Sequence, residues 1–253
     1  MNICPVCNES MWSKIHHISD WDVFQCNNCG FTRIHPLPAP DTRAEFYSEN
    51  AIQDRSIKKK RGPVKQLAAF IKHYLRKISG RKKGTIFAKQ LTHYLHKGDS
   101  ILDIGCGKGA ILSEISNYYE CFGVEVSAYL AGEAKKLGVE VFTGDFYNLD
   151  FKEMQFDGII MSSLLEHLHN PAECLQKCHD LLKDKGILLL KTVNHQGVNR
   201  RVMGDKWTGY RPPDHMVYFG PKNLNMLLKK IGFSTIKTHA SLLNDNFYCE
   251  ARK

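Results

Sequence analysis

The sequence predicts an α/β protein with a doubly wound, mostly parallel sheet, preceded by a small cysteine-bearing module. Three observations carry this reading. Apolar runs at 101–105, 121–126, 139–143, 156–162 and 186–193 alternate with helically spaced segments near 108–118, 127–137 and 171–182, the pattern of parallel βαβ units. The first run opens into Gly105, Gly107 and Gly109, a turn on which a ligand can rest against bare backbone. Two Cys-x-x-Cys pairs, Cys4/Cys7 and Cys26/Cys29, stand outside the alternation.

Each pair can present two thiolates on one turn, and the 18 residues between the pairs allow all four to close a tetrahedral zinc shell. Gly30 suits a knuckle that needs positive φ. The first residues, Met-Asn-Ile-Cys-Pro, show no basic and apolar leader pattern. A cytoplasmic setting is therefore expected, with disulfides the less favoured use of the thiols. Four sulfur ligands leave no open coordination position, so the expected zinc is structural. Trp12, Trp21 and the His16–His17 pair read as packing around this ribbon, residues 1–36. Cys106, Cys121, Cys174, Cys178 and Cys249 lie in apolar or helical contexts and read as small buried residues.

A connector, 37–97, follows. Its opening prolines cannot continue a helix or a central strand, and Asp41 reads as the cap of a helical turn. Residues 55–97 hold 14 Lys or Arg and no acid, leaving 21 basic against 26 acidic residues elsewhere. The net charge of +9 thus belongs to one region. There Val64, Leu67, Ala68, Ile71, Leu75 and Ile78 recur at helical spacing among lysines and arginines. Such a basic amphipathic helix can simply pack and solvate its charges. It can also attract a phosphorylated substrate or an anionic membrane surface, or bind nucleic acid. No apolar run reaches the roughly 18 residues of a membrane-spanning helix.

The domain at 98–253 carries the chemistry. Carboxylates mark the first three strands: Asp103 before the glycine turn, Glu125 at the end of the second run and Asp145 after the third. A dinucleotide site would tolerate Ala110 in place of its third glycine, but it uses an acid at Glu125 and has no need of one at Asp145. Four motifs occur in order: Leu-Asp-Ile-Gly-Cys-Gly-Lys-Gly at 102–109, Gly-Val-Glu-Val-Ser at 123–127, Gly-Asp-Phe at 144–146 and Phe-Asp-Gly-Ile-Ile-Met-Ser-Ser-Leu-Leu-Glu-His-Leu at 156–168. On these, the chain resembles the class I S-adenosylmethionine (SAM)-dependent methyltransferases over roughly residues 85–250.

The resemblance implies a Rossmann-like seven-stranded sheet closed by a reversed hairpin, here the runs 234–240 and 246–252 after a helix at 221–231. It implies SAM as cofactor. Gly105, Gly107 and Gly109 would admit the methionyl part, and Asp103 would hold its ammonium. Glu125 beside Val126 would take the ribose hydroxyls, and Asp145 the adenine amine beneath Phe146. Met161 and Ser162 would end the fourth strand at the site mouth. The ribbon, the proline stretch and Phe46-Tyr47 resemble a methyltransferase subgroup of sugar and surface-polysaccharide pathways.

Methyl transfer is a displacement that needs a positioned acceptor and, for a hydroxyl, a base. His167 follows the fourth strand. His195 and His215 lie in the segment 194–219, the expected acceptor lid. Tyr210 and Arg211 are candidates to bind acceptor, with Asp214 to orient His215. The expected reaction is methylation of a small polar, anionic acceptor such as a nucleotide-linked or phosphorylated sugar, O-methyl first, C- or N-methyl open. Two other readings stand beside it. One is an RNA methyltransferase using ribbon and basic segment, although Ser-Ser-Leu-Leu stands where an Asn/Asp-Pro-Pro-Tyr/Phe motif would be. The other is a non-catalytic SAM-binding protein.

Overall fold

The computed structural model describes residues 3–39, 86–240 and 244–253. The turn capped by Asp41 and the basic helix expected over 64–78 lie outside these residues. Strands β1 (Trp12–Ile18), β2 (Trp21–Cys26) and β3 (Thr32–His35) form an antiparallel meander between and after the cysteine pairs. Then come α1 (Ile86–Leu91), β4 (Ser100–Ile104), α2 (Ala110–Ile115), β5 (Glu120–Glu125), α3 (Ala128–Lys135), β6 (Glu140–Thr143) and β7 (Phe156–Ser162). The chain continues through α4 (Pro171–Leu181), β8 (Leu182–Val193), α5 (Val198–Met203), β9 (Val217–Tyr218), α6 (Pro221–Ile231), β10 (Thr235–Ala240) and β11 (Asn246–Arg252).

The large sheet has the order β10-β11-β8-β7-β4-β5-β6. From β8 to β6 all neighbours are parallel, and β11 runs antiparallel between β8 and β10. The doubly wound seven-stranded sheet with its reversed hairpin is therefore present. Its central strands read as continuous apolar runs because both faces are covered. Leu102, Ile104, Ile159, Met161, Leu188 and Leu190 face one core, while Ile101, Ile160, Ile187 and Leu189 face the other. Parallel strands put the carboxyl ends of β4, β5, β6 and β7 on one edge, where ligands bind in such folds.

The second sheet differs from expectation. Its order is β1-β2-β3-β9, so the 194–219 segment contributes the fourth strand of the ribbon. Cys4, Val23, Cys26, Phe31 and Ile34 share one hydrophobic core with Tyr210, Tyr218, Phe219 and the face of the large sheet. Among the described residues, no helix is long and apolar enough to cross a membrane.

Candidate functional site

The glycine turn after β4 is built on left-handed backbone: φ is +75° at Gly105, +56° at Gly107 and +73° at Gly109. Side chains rarely adopt these angles, which explains the alternating glycines. The amides of Gly105 and Cys106 both donate to the Val124 carbonyl, at 2.8 and 3.0 Å. The Glu125 carboxylate completes the link to β5: Oε2 accepts from Gly107 N–H and Oε1 from Ser127 N–H, each at 2.9 Å.

Beneath this edge lies a cavity of about 240 Å³. It is lined by Gly105 and Gly107 on one side, Glu125, Val126 and Leu130 on the next, and the loop Gly144–Tyr147 beyond. Ser163, Leu164 and His167 close the far wall. The loop is fastened from outside by Lys177 on α4, whose ammonium donates to the carbonyls of Phe146, Tyr147 and Leu149 at 2.8, 3.2 and 2.7 Å. Lys177 also sits 5.0 Å from the centre of the Phe146 ring. Sequence reasoning missed Lys177 because its partners are carbonyls, which carry no residue signature.

Asp103 is fully buried at the inner end of β4, and neither carboxylate oxygen has a hydrogen-bond partner among the described residues. Burial, with the nearby Glu125 charge, pushes its carboxyl up to about 8. An orphaned carboxylate beside a side-chain-free turn suits a ligand ammonium, and Glu125 keeps acceptor capacity for hydroxyls. The residues present thus fit SAM. Met161 and Ser162 do not line the cavity: Met161 is buried in the core, and the wall comes from the next two residues. Gly109 and Asp103 lie outside the wall as well: Gly109 is the N-cap of α2, and Asp103 is buried next to the wall residue Ile104.

His167 is the one predicted histidine on the cavity wall. Its Nδ1 lies 2.8 Å from the Asp214 carbonyl and 2.9 Å from the Asp214 carboxylate, and its ring meets His215 edge-on at 4.7 Å. Asp214 therefore orients His167 rather than His215. Burial alone would raise the Asp214 carboxyl, yet the His167 hydrogen bond and the neighbouring Arg211 guanidinium hold it below its ordinary value. His215 is buried, with Nδ1 2.7 Å from the Gly209 carbonyl and Nε2 facing Arg211. Burial, then His167 and Arg211, push it down to about 4, so it is a neutral ring with both nitrogens engaged. For the same reason Glu166, His167 and His215, although within 4.8 Å of one another, are poorly disposed as a metal set; Glu166 already accepts from Thr192 at 2.7 Å.

Two predicted residues are placed elsewhere. His195 is buried between Thr32 Oγ1 at 3.4 Å and Tyr210 Oη at 2.6 Å, and both it and Tyr210 pack in an aromatic cluster with Trp207 and Tyr218. Neither reaches the cavity wall. They were expected to face the acceptor because their segment is polar and aromatic. The physical reason for the difference is that the ribbon buries that face.

The four predicted thiols do converge. Cys4 and Cys29 sulfurs are 3.6 Å apart, Cys7 and Cys26 sulfurs 3.5 Å, and all four lie within 4.8 Å of one another. Gly30 has φ +74°, and Phe31 N–H points at the Cys29 sulfur from 3.5 Å. This donor set can hold a tetrahedral ion.

Comparison with known proteins agrees with the cavity. A family model described as "Methyltransferase domain" matches residues 65–238. A ubiquinone biosynthesis O-methyltransferase of Dinoroseobacter shibae is 27% identical over 168 residues, 58% of this chain and 65% of that protein. The (S)-coclaurine N-methyltransferase of Papaver somniferum is 33% identical over 109 residues, 39% of this chain and 31% of that one. The chain thus spans less than two thirds of either relative. Magnesium protoporphyrin IX methyltransferase from Synechocystis, solved with S-adenosylhomocysteine (SAH) bound, shares the fold with a TM-score of 0.61 at 15% identity, covering 85% of this chain and all of that one. With the family matched over more than half its length and the cofactor edge intact, the chain belongs to the methyltransferase-domain family and is an S-adenosylmethionine-dependent methyltransferase.

Proposed function

We propose that this chain transfers a methyl group from SAM to an oxygen of a small polar, anionic acceptor, with His167 as the base. The observation that carries this is His167 on the cavity wall with Nδ1 held by Asp214. If Nδ1–H donates to Asp214, the lone pair of the neutral ring stands on Nε2, where it can take the acceptor's proton. Bound SAM supplies a methyl on a sulfonium. Asp103 would hold its ammonium, Glu125 its ribose and the Asp145–Phe146 loop its base. The half-exposed Arg211, 3.5 Å from Asp214, supports an anionic acceptor. The resemblance to sugar-pathway enzymes makes a nucleotide-linked or phosphorylated sugar the first class to try. The O-methyltransferase relatives support oxygen, and the Papaver N-methyltransferase makes nitrogen the next choice. We also propose that Cys4, Cys7, Cys26 and Cys29 hold one structural zinc.

The test is methyl transfer from labelled SAM to a panel of phosphorylated sugars, nucleotide sugars, phenols and amines. An O-methyl ether is expected as product, and His167→Ala should cut the rate of its formation by about 100-fold or more while SAH still binds. An undiminished rate in that variant would remove His167 as base, and transfer confined to RNA would overturn the acceptor class.

A further inference from the structure

Two routes of contact meet at Met216. Its carbonyl accepts from Ile34 N–H of the ribbon at 2.9 Å, and its own N–H donates to the Glu166 carbonyl at 2.8 Å, next to His167. Flanking pairs extend the seam: Thr32 faces Tyr218 and Arg33 faces Val217 across β3 and β9. Phe31 packs on Phe219 with ring centres 4.8 Å apart. The fully buried Asn223 donates to the carbonyl of Cys29, one of the four thiol residues, at 3.4 Å. Asp214 stands two residues before Met216, on a segment with one edge seated on the ribbon. The cavity wall, by contrast, is drawn entirely from residues between Ile104 and Cys174.

We propose that the four-cysteine ribbon is a positioning element for the acceptor side of the reaction: its bound metal fixes β3, β3 fixes β9, and β9 holds Asp214 against His167. The inference rests on the zinc reading above. Cofactor binding and acceptor activation then depend on different parts of the chain. Loss of the metal loosens the cysteine knuckle and the seam beyond it, and the His167–Asp214 contact opens while the SAM cavity stays formed. Asp214 and His215 from the 194–219 segment and Glu166 from its own turn stand against His167, and Arg211 is paired with Asp214.

The experiment uses the full chain with its metal content measured, before and after chelation under reducing conditions. Calorimetry with SAH reads the cofactor cavity. The imidazole N–H proton of His167, assigned by its loss in His167→Gln, reads the contact with Asp214. Chelation should leave SAH affinity unchanged and abolish the His167 N–H signal through solvent exchange, with recovery on adding zinc. Phe31→Leu keeps all four thiols and should speed exchange of the same proton with zinc still bound. A protein that purifies without stoichiometric metal overturns the zinc reading and this inference together. A loaded protein whose His167 proton survives chelation overturns the inference alone, as does SAH binding that fails in step with metal loss.

Discussion

Glu125 serves two backbone amides and still has lone pairs to offer a ligand, so its loss touches both turn and ribose site. Charge-assisted hydrogen bonds of this kind contribute about 2–3 kcal/mol, so Glu125→Ala should weaken SAH binding on the order of 50-fold in a calorimetric titration. Asp103 makes a different prediction. Its ordinary value is 3.8 and burial lifts it to about 8. The unfolded chain therefore releases this proton first as pH rises, and the folded form loses stability between about pH 4 and 8. Asp103→Asn removes that penalty: without ligand, its melting temperature should match the wild type near pH 4 and exceed it at pH 8. The same variant should bind SAH more weakly, since the ammonium loses its carboxylate. An identical pH trend in both proteins would show that Asp103 ionises freely. Both residues were legible in the sequence because a carboxylate at a strand end is a fixed register position. Met161 was misplaced because side chains alternate along a strand and it points into the core, while the half-buried Ser162 ends β7 one residue before the wall begins at Ser163.

At the scale of elements, α4 lines the cavity through Cys174 and also acts on it from outside. Asn170 caps it by accepting from Glu173 N–H, with Pro171 in the first turn. Cys174, Leu175 and Cys178 face the core, which aims Lys177 sideways at the 146–149 loop. One ammonium thus replaces water at three loop carbonyls. Lys177→Met keeps the stem and removes the donors; SAH affinity should fall about tenfold, a cost of roughly 1.4 kcal/mol, while the rate at saturating SAM changes little. A variant that binds SAH normally would show that the loop holds its shape unaided. The large sheet could be read from sequence because each buried parallel strand is an unbroken apolar run between turn signals. Strand β9 could not. Val217–Tyr218 is two residues long, and its partner is β3, at the other end of the chain. Pairings so short and so distant leave no periodicity to detect.

For the whole molecule, the seam between ribbon and insertion is also where acid should act. Burial, reinforced by Arg200 and His16, pushes His195 down to about 3, and His215 is pushed down to about 4. Both rings are neutral in the fold, with an ordinary value of 6.5 once the chain opens. Their contribution to stability is whole above pH 6.5 and drains away as pH falls toward 4, because the unfolded chain takes up protons that the folded chain refuses. Each such ring adds a slope of about 1.4 kcal/mol per pH unit within that window. Urea unfolding at a series of pH values should therefore show a steep loss between pH 6.5 and 4. His195→Gln should be less stable than wild type at pH 7.5, having lost the links to Thr32 and Tyr210, yet should fall less steeply by the share of one ring. The two curves then converge at low pH. Parallel curves would mean that His195 accepts a proton in place, and that the aromatic seam joining the ribbon to the catalytic half tolerates a charge at its centre.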